Sequence, residues 1–105
     1  MWVNMTIAKV SSTYEKEGMP ILYSKKNMQV MTGAKGFIAG YALFKNDDHS
    51  MGCSLSVWES QADAEAFFAS KEYIAMVGSV IQHILGKPER QGWDVSCDML
   101  QVARG

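Results

Sequence analysis

The stretch from Leu55 to Leu85, LSVWESQADAEAFFASKEYIAMVGSVIQHIL, constrains the fold of this chain more than any other. Leu55, Ser56, Val57 and Trp58 alternate in the period-two pattern of a strand. Ser60, with Asp63 three residues later, has the form of a helix N-cap with an acidic first turn. Carboxylates are favoured there by the positive end of the helix dipole. Ala66, Phe67, Ser70, Tyr73, Ile74, Val77, Ile81 and Ile84 then recur at helical spacing. Gly86-Lys87-Pro88 is expected to stop that helix, because Gly takes the left-handed cap and Pro cannot continue. A pause at Ser70-Lys71-Glu72 offers Ser70 as a second N-cap within the run.

The remaining elements follow from the same periods. Trp2 to Val10 is the first strand, with Val3, Met5 and Ile7 on one face and Trp2, Ala8 and Val10 on the other. A polar turn at Ser11 to Thr13 leads to a first helix that begins near Gly18 or Pro20, or as early as Tyr14. Met19, Leu22, Tyr23, Val30 and Met31 share its apolar face, and Gly33 and Gly36 close it. Phe37 to Lys45 is the second strand, Asn46 to Ser50 a hairpin turn, and Met51 to Trp58 the third strand. Trp93 to Val102 is the expected fourth strand, one side meeting water through Asp94, Ser96 and Asp98. The order β-α-β-β-α-β over residues 1–105 predicts a single α+β domain of ferredoxin-like type. Its four-stranded antiparallel sheet would carry two helices on one face.

Two helices cover only one side of such a sheet, yet the second strand is apolar on both. Phe37, Tyr41 and Leu43 point one way, and Ile38, Ala42 and Phe44 the other. A solvated sheet face alternates with polar residues, and a bare apolar one exceeds what soluble monomers usually expose. Covering ~600 Å² would be worth on the order of 15 kcal/mol before the costs of association. A homodimer with sheets packed face to face, together approximating a barrel, is the expectation.

Several function classes drop out. With a net charge of -1 and only Arg90 and Arg104 as arginines, the chain has no basic stripe for nucleic acid or an anionic membrane. No apolar run reaches membrane-spanning length, and Met1-Trp2-Val3-Asn4 lacks the charged start of a signal peptide. Cys53 and Cys97, both inside expected strands, read as core thiols in a reducing cytoplasm.

No catalytic motif of fixed spacing is present: no phosphate-binding glycine loop, no CxxC, no HExxH. His49 falls in the turn, exposed to solvent, and His83 on the flank of the long helix. The informative residues are the small ones. Gly52, Ser54 and Ser56 line one face of the third strand, which Trp58 ends. Small residues beneath a helix leave space that Tyr23, Phe67, Tyr73 and Met76 can wall, with Asn4, Thr6, Ser54 and Ser56 as polar groups. That is the usual form of a small-molecule site. The alternative, a plain core in which eight methionines fill irregular gaps, is favoured by spacing alone.

Val57-Trp58-Glu59-Ser60-Gln61-Ala62, followed by Phe67, Ser70 and Tyr73, resembles the antibiotic biosynthesis monooxygenase group of dimeric α/β-barrel proteins. The element order matches over nearly the whole chain. The resemblance implies a cytoplasmic homodimer with a pocket between sheet and helices in each subunit. It further implies oxidation of an aromatic phenol or quinol by O2 with no metal or flavin. In that cofactor-free branch an Asn precedes the strand-end Trp by four residues and a Tyr follows it by six. Here Ser54 and Ala64 stand at those positions, so Trp58 alone carries over, as a hydrogen-bond donor to a substrate carbonyl or phenolate. The other class of function is a non-catalytic dimer that binds an apolar small molecule or a protein.

Heme-degrading relatives share the strand-Trp-helix unit. Their pattern has an Asn on the first strand, a Trp in the second helix and a His ten residues beyond it. These positions fall at Asn4, Phe67 and Val77, and Val77 has no lone pair for iron. His83, six residues further on, would be turned about 120° round the expected helix. Heme degradation by that route is therefore not expected.

Overall fold

A computed structural model describes all residues 1–105. Strand β1 spans Trp2–Val10, β2 Phe37–Lys45, β3 Asp48–Trp58 and β4 Ile84–Asp94. They form one antiparallel sheet in the order β2-β3-β1-β4, the ferredoxin-like arrangement. A π-helical turn at Tyr14–Gly18 leads into α1 (Met19–Leu22) and α2 (Lys25–Thr32). Helices α3 (Gln61–Phe68) and α4 (Lys71–Gly78) follow β3, and α5 (Met99–Arg104) ends the chain.

Both caps expected in the central stretch are made. The Ser60 side chain accepts the Asp63 N–H, and Ser70 accepts that of Tyr73, so α3 and α4 are separate helices with a bend between them. Their buried residues are Ala64, Phe67, Phe68 and Met76, while Ile74 of the expected face is exposed. The first helical region is interrupted in the same way. Ser24 caps α2 by accepting from the Asn27 N–H, so a new helix starts at Lys25 within the expected one.

The largest departure from the sequence reading lies after α4. The long helix stops at Gly78, and Ile81–His83 is a short 3-10 turn. Strand β4 then begins at Ile84, about nine residues earlier than the expected Trp93. Gly86-Lys87-Pro88 is not a helix stop but a bulge inside this strand, where the β1·β4 register shifts between Ile7 and Lys9. Gly86 takes φ 78°, and Pro88 falls in a bulge of an edge strand, where its missing N–H breaks no ladder. Of the expected fourth strand only Trp93 and Asp94 belong to β4, and Asp98 instead caps α5 by accepting from the Leu100 and Gln101 N–H groups. The hairpin is also tighter than expected, because β3 already begins at Asp48.

Register places every side chain. Across the helix-facing side run the rows Gly40–Ser56–Asn4–Gly92 and Ala42–Ser54–Thr6–Arg90. Phe37, Trp58 and Trp2 close one end of this face around the core, with Phe37 edge-on to Trp58 at 5.4 Å. Phe37 therefore lies on the helix side, not beside Tyr41 and Leu43, because a register shift between Phe37 and Ala39 changes its face. The opposite side carries Ala39–Val57–Val3–Trp93, Tyr41–Leu55–Met5–Gln91 and Leu43–Cys53–Ile7–Glu89. No helix covers it, and Tyr41 and Trp93 are 62% and 55% exposed. Cys53 belongs to this face and Cys97 is exposed, so neither is a core thiol.

Candidate functional site

Between the sheet and the helices lies a cavity of about 420 Å³. Its floor is the run of small residues read from the sequence, with Gly52 and Ser54 of β3 beside Thr6 and Ala8 of β1 and Ala42 of β2. Side chains this short cannot reach the helices above, and the gap they leave is the cavity. Tyr14, Met19, Leu22 and Tyr23 wall it from the first helical region, Met28 and Met31 from α2, and Phe68, Tyr73 and Met76 from the α3-α4 side. Thioethers and aromatic rings make this lining soft, apolar and adaptable to flat ligands.

Five expected site residues, Asn4, Tyr23, Ser54, Tyr73 and Met76, line the cavity together. Trp58 and Phe67 do not. Trp58 is 0% exposed, packs against Phe37, Phe67 and Phe68, and donates its indole N–H to the Ser56 hydroxyl at 2.9 Å. The donor expected to meet a substrate is thus satisfied inside the protein. Phe67 is buried against Trp58, and its neighbour Phe68 takes the wall position. Adjacent phenylalanines on a helix are about 100° apart, so the roll of α3 on the sheet decides which one meets the cavity.

Asn4 is the most unusual polar group. It is 2% exposed, and its amide N–H donates to the Thr6 hydroxyl at 2.9 Å. Its Oδ1 is buried with no partner. An orphaned carbonyl of this kind costs about 1–3 kcal/mol, which is atypical of a plain core. From Thr6 the polar groups continue across the strand pair to Ser54, then to the phenols of Tyr23 and Tyr14. Burial pushes the Tyr14 phenol far above its ordinary value, and Tyr23 beside it adds to the rise. Burial also raises Tyr23, while hydrogen bonding with Ser54 and Tyr14 partly offsets this. Both phenols are therefore neutral at physiological pH and able to donate hydrogen bonds.

Two further lining residues carry no signal in the sequence. Arg90 joins the lining because β4 runs where the register pairs it with Thr6. Its guanidinium lies 4.1 Å from the centre of the Phe68 ring, and Nη2 donates to the Tyr73 hydroxyl at 3.2 Å. Tyr14 enters on the π-helical turn, supported by His83 edge-on at 6.4 Å. His83 is itself buried, with Nδ1 3.2 Å from Ser11 Oγ and 3.1 Å from Thr13 Oγ1. It does not line the cavity, whereas Val77 does. His49, expected free in a turn, lies in β3, stacks on Phe44 and pairs with Glu15 at 2.9 Å.

No group of His, Cys, Asp and Glu is arranged to hold a metal, and no helix is long and apolar enough to cross a membrane. No family model matches the chain, and no curated protein matches it in sequence. Solved structures do match. A Nitrosomonas europaea protein, provisionally described as an antibiotic biosynthesis monooxygenase, is similar at 15% identity and TM-score 0.78, covering 92% of this chain and 100% of its own. SnoaB, a cofactor-independent oxygenase from Streptomyces nogalater, is similar at 11% identity and TM-score 0.73, covering 93% and 95%. A conserved protein from Methanosarcina mazei is similar at 11% identity and TM-score 0.76, covering 89% and 91%. The chain has the fold of the antibiotic biosynthesis monooxygenase structures. Identities this low carry the fold and nothing finer.

Proposed function

We propose that the chain is a cofactor-independent monooxygenase that oxidises an aromatic phenol or quinol with O2, working as a homodimer. The carrying observation is the orphaned Asn4 Oδ1 beside a cavity whose other polar groups are hydroxyls, the Cys53 thiol and, at the edge strand, the Arg90 guanidinium. A carbonyl oxygen wants a donor, and a phenol or enol O–H is the donor an aromatic substrate brings. As O2 draws electrons from the ring and takes up the phenolic proton with them, the hydroxyls of Ser54 and Tyr23 are at hand to donate to the oxygen that carries the developing negative charge. The Tyr23 phenol keeps its proton at neutral pH, burial holding its pKa above the ordinary value. The protein's share of the work is positioning, exclusion of water and stabilisation of the anion.

For an anthrone the reaction balances without another reductant. The CH2 carbon gains one oxygen atom to become a carbonyl, and the other leaves as water with the two hydrogens. Trp58 supports the site by packing, not by contact with substrate. The uncovered apolar sheet face supports the dimer.

A specific observation also favours the second reading, a non-catalytic module that binds an apolar molecule. No carboxylate or imidazole lines the cavity to act as a base. Oxygen uptake with a panel of anthrones and quinols decides between them. Substrate-dependent O2 consumption that falls in Ser54→Leu supports the enzyme, and tight binding of the panel with no O2 consumed overturns it.

A further inference from the structure

The only charged side chain lining the cavity is Arg90, and no carboxylate pairs with it. We propose that Arg90 and Tyr73 form an anchor for a carboxylate on the ligand, so that the cavity takes an aromatic acid and not merely an aromatic body. This rests on reading the cavity as the ligand site and adds to it the class of molecule bound.

Three features of Arg90 are those of a recognition group. First, its guanidinium carbon sits over the buried Phe68 ring at 4.1 Å from the ring centre, a contact that restrains the group without using its N–H donors. Second, Nη2 donates to the Tyr73 hydroxyl, which accepts that bond and keeps its own O–H to give. Arg90 retains further N–H donors, so the pair together offers the Tyr73 O–H and the remaining guanidinium N–H groups to an anion. Third, its place is set by the sheet: it pairs with Thr6 and ends the row Ala42–Ser54–Thr6–Arg90 that forms the cavity floor. Asn4, two residues along β1, lies diagonally across from it at about 7–8 Å between backbones.

The cavity is thus polarised. A hydroxyl-seeking carbonyl lies at one side of the floor and a cationic fork at the exposed edge strand, with apolar walls between. One positive charge balances one negative charge, so a monoanionic carboxylate fits, whereas a dianionic phosphate would leave a charge unpaired. If Arg90 served only to cover Phe68, its loss would weaken all ligands and the fold alike.

Calorimetric titration of the full chain with an anthraquinone carboxylate and its methyl ester tests this. Both are already oxidised, so the result does not depend on turnover. The acid is expected to bind about tenfold more tightly than the ester in low salt, and the advantage to shrink as salt is raised. Arg90→Met should erase the preference and leave ester affinity within about twofold, while Arg90→Lys keeps part of it. Equal binding of acid and ester to the wild type overturns the proposal, as does a preference that survives Arg90→Met or failure of both to bind. The wild-type acid-ester comparison stands even if a variant fails to fold. An ester that binds as well as the acid sinks the anchor and leaves the phenol oxidation open. Absent O2 consumption with a clear acid preference does the reverse.

Discussion

Trp58 Nε1 donates to Ser56 Oγ across 2.9 Å on the helix-facing side of β3, and both residues are sealed from solvent. This bond leaves the largest ring of the core without an unsatisfied donor. Ser56→Ala removes the only acceptor and should destabilise the fold by about 1–3 kcal/mol, read from urea unfolding. Ligand binding in the cavity should survive. A loss of binding with unchanged stability would place Trp58 at the ligand after all.

Ser54 sits in the cavity floor, opposite Ala42 and Thr6. Ser54→Leu should fill the space and abolish ligand binding while stability stays within about 1.5 kcal/mol of wild type. Retained affinity would mean that the ligand lies elsewhere.

Tyr14 and Tyr23 make stability fall at alkaline pH. In the unfolded chain both phenols ionise near pH ~10, whereas burial holds them protonated in the folded state. Above pH ~10 the unfolded state has therefore lost protons that the folded state still binds, so stability drops as pH rises. Below that pH the contribution of the two phenols is complete. Urea midpoints measured across the range should show this slope, shallower in Tyr14→Phe. An unchanged slope would contradict the burial of Tyr14.

Gly36 and Gly86 both adopt positive φ, 84° and 78°, yet they should respond differently to alanine. A Cβ at Gly36 would collide with the Asp63 side chain, whereas one at Gly86 meets nothing within 4 Å. Gly36→Ala should cost about 2–4 kcal/mol and Gly86→Ala about 1 kcal/mol. Equal costs would show that the approach of α3 to the β2 entry is looser than the structure has it.

The uncovered face of the sheet gives the test of assembly. Tyr41 and Leu43 on β2 are exposed beside Leu55 and Met5. Light scattering at micromolar concentration should give a dimer, and Tyr41→Glu with Leu43→Glu a monomer. A wild-type chain that stays monomeric would remove the homodimer from the proposed function.

Local signals carried much of this architecture. Ser60 and Ser70 as caps, the alternation ending at Trp58 and the small residues Gly52 and Ser54 were all legible, because caps and periods are fixed by neighbours in the chain. From them came the element order and the position of a cavity. What depends on pairing between distant segments was not legible. Gly86 and Pro88 have the form of a helix stop in sequence, and only the edge position of β4 lets a bulge absorb them. That misplacement hid Arg90, which reaches the cavity solely through its register with Thr6. Likewise the bulge beside Phe37 changes its face, and the roll of α3 on the sheet sets which of Phe67 and Phe68 meets the ligand space. A one-residue change in pairing turns a side chain to the other face of a sheet, and no local period encodes it. Neighbours along the chain settle the caps, the first three strands and where the sheet is thin; pairing between distant segments settles the fourth strand and which side chains look into the gap.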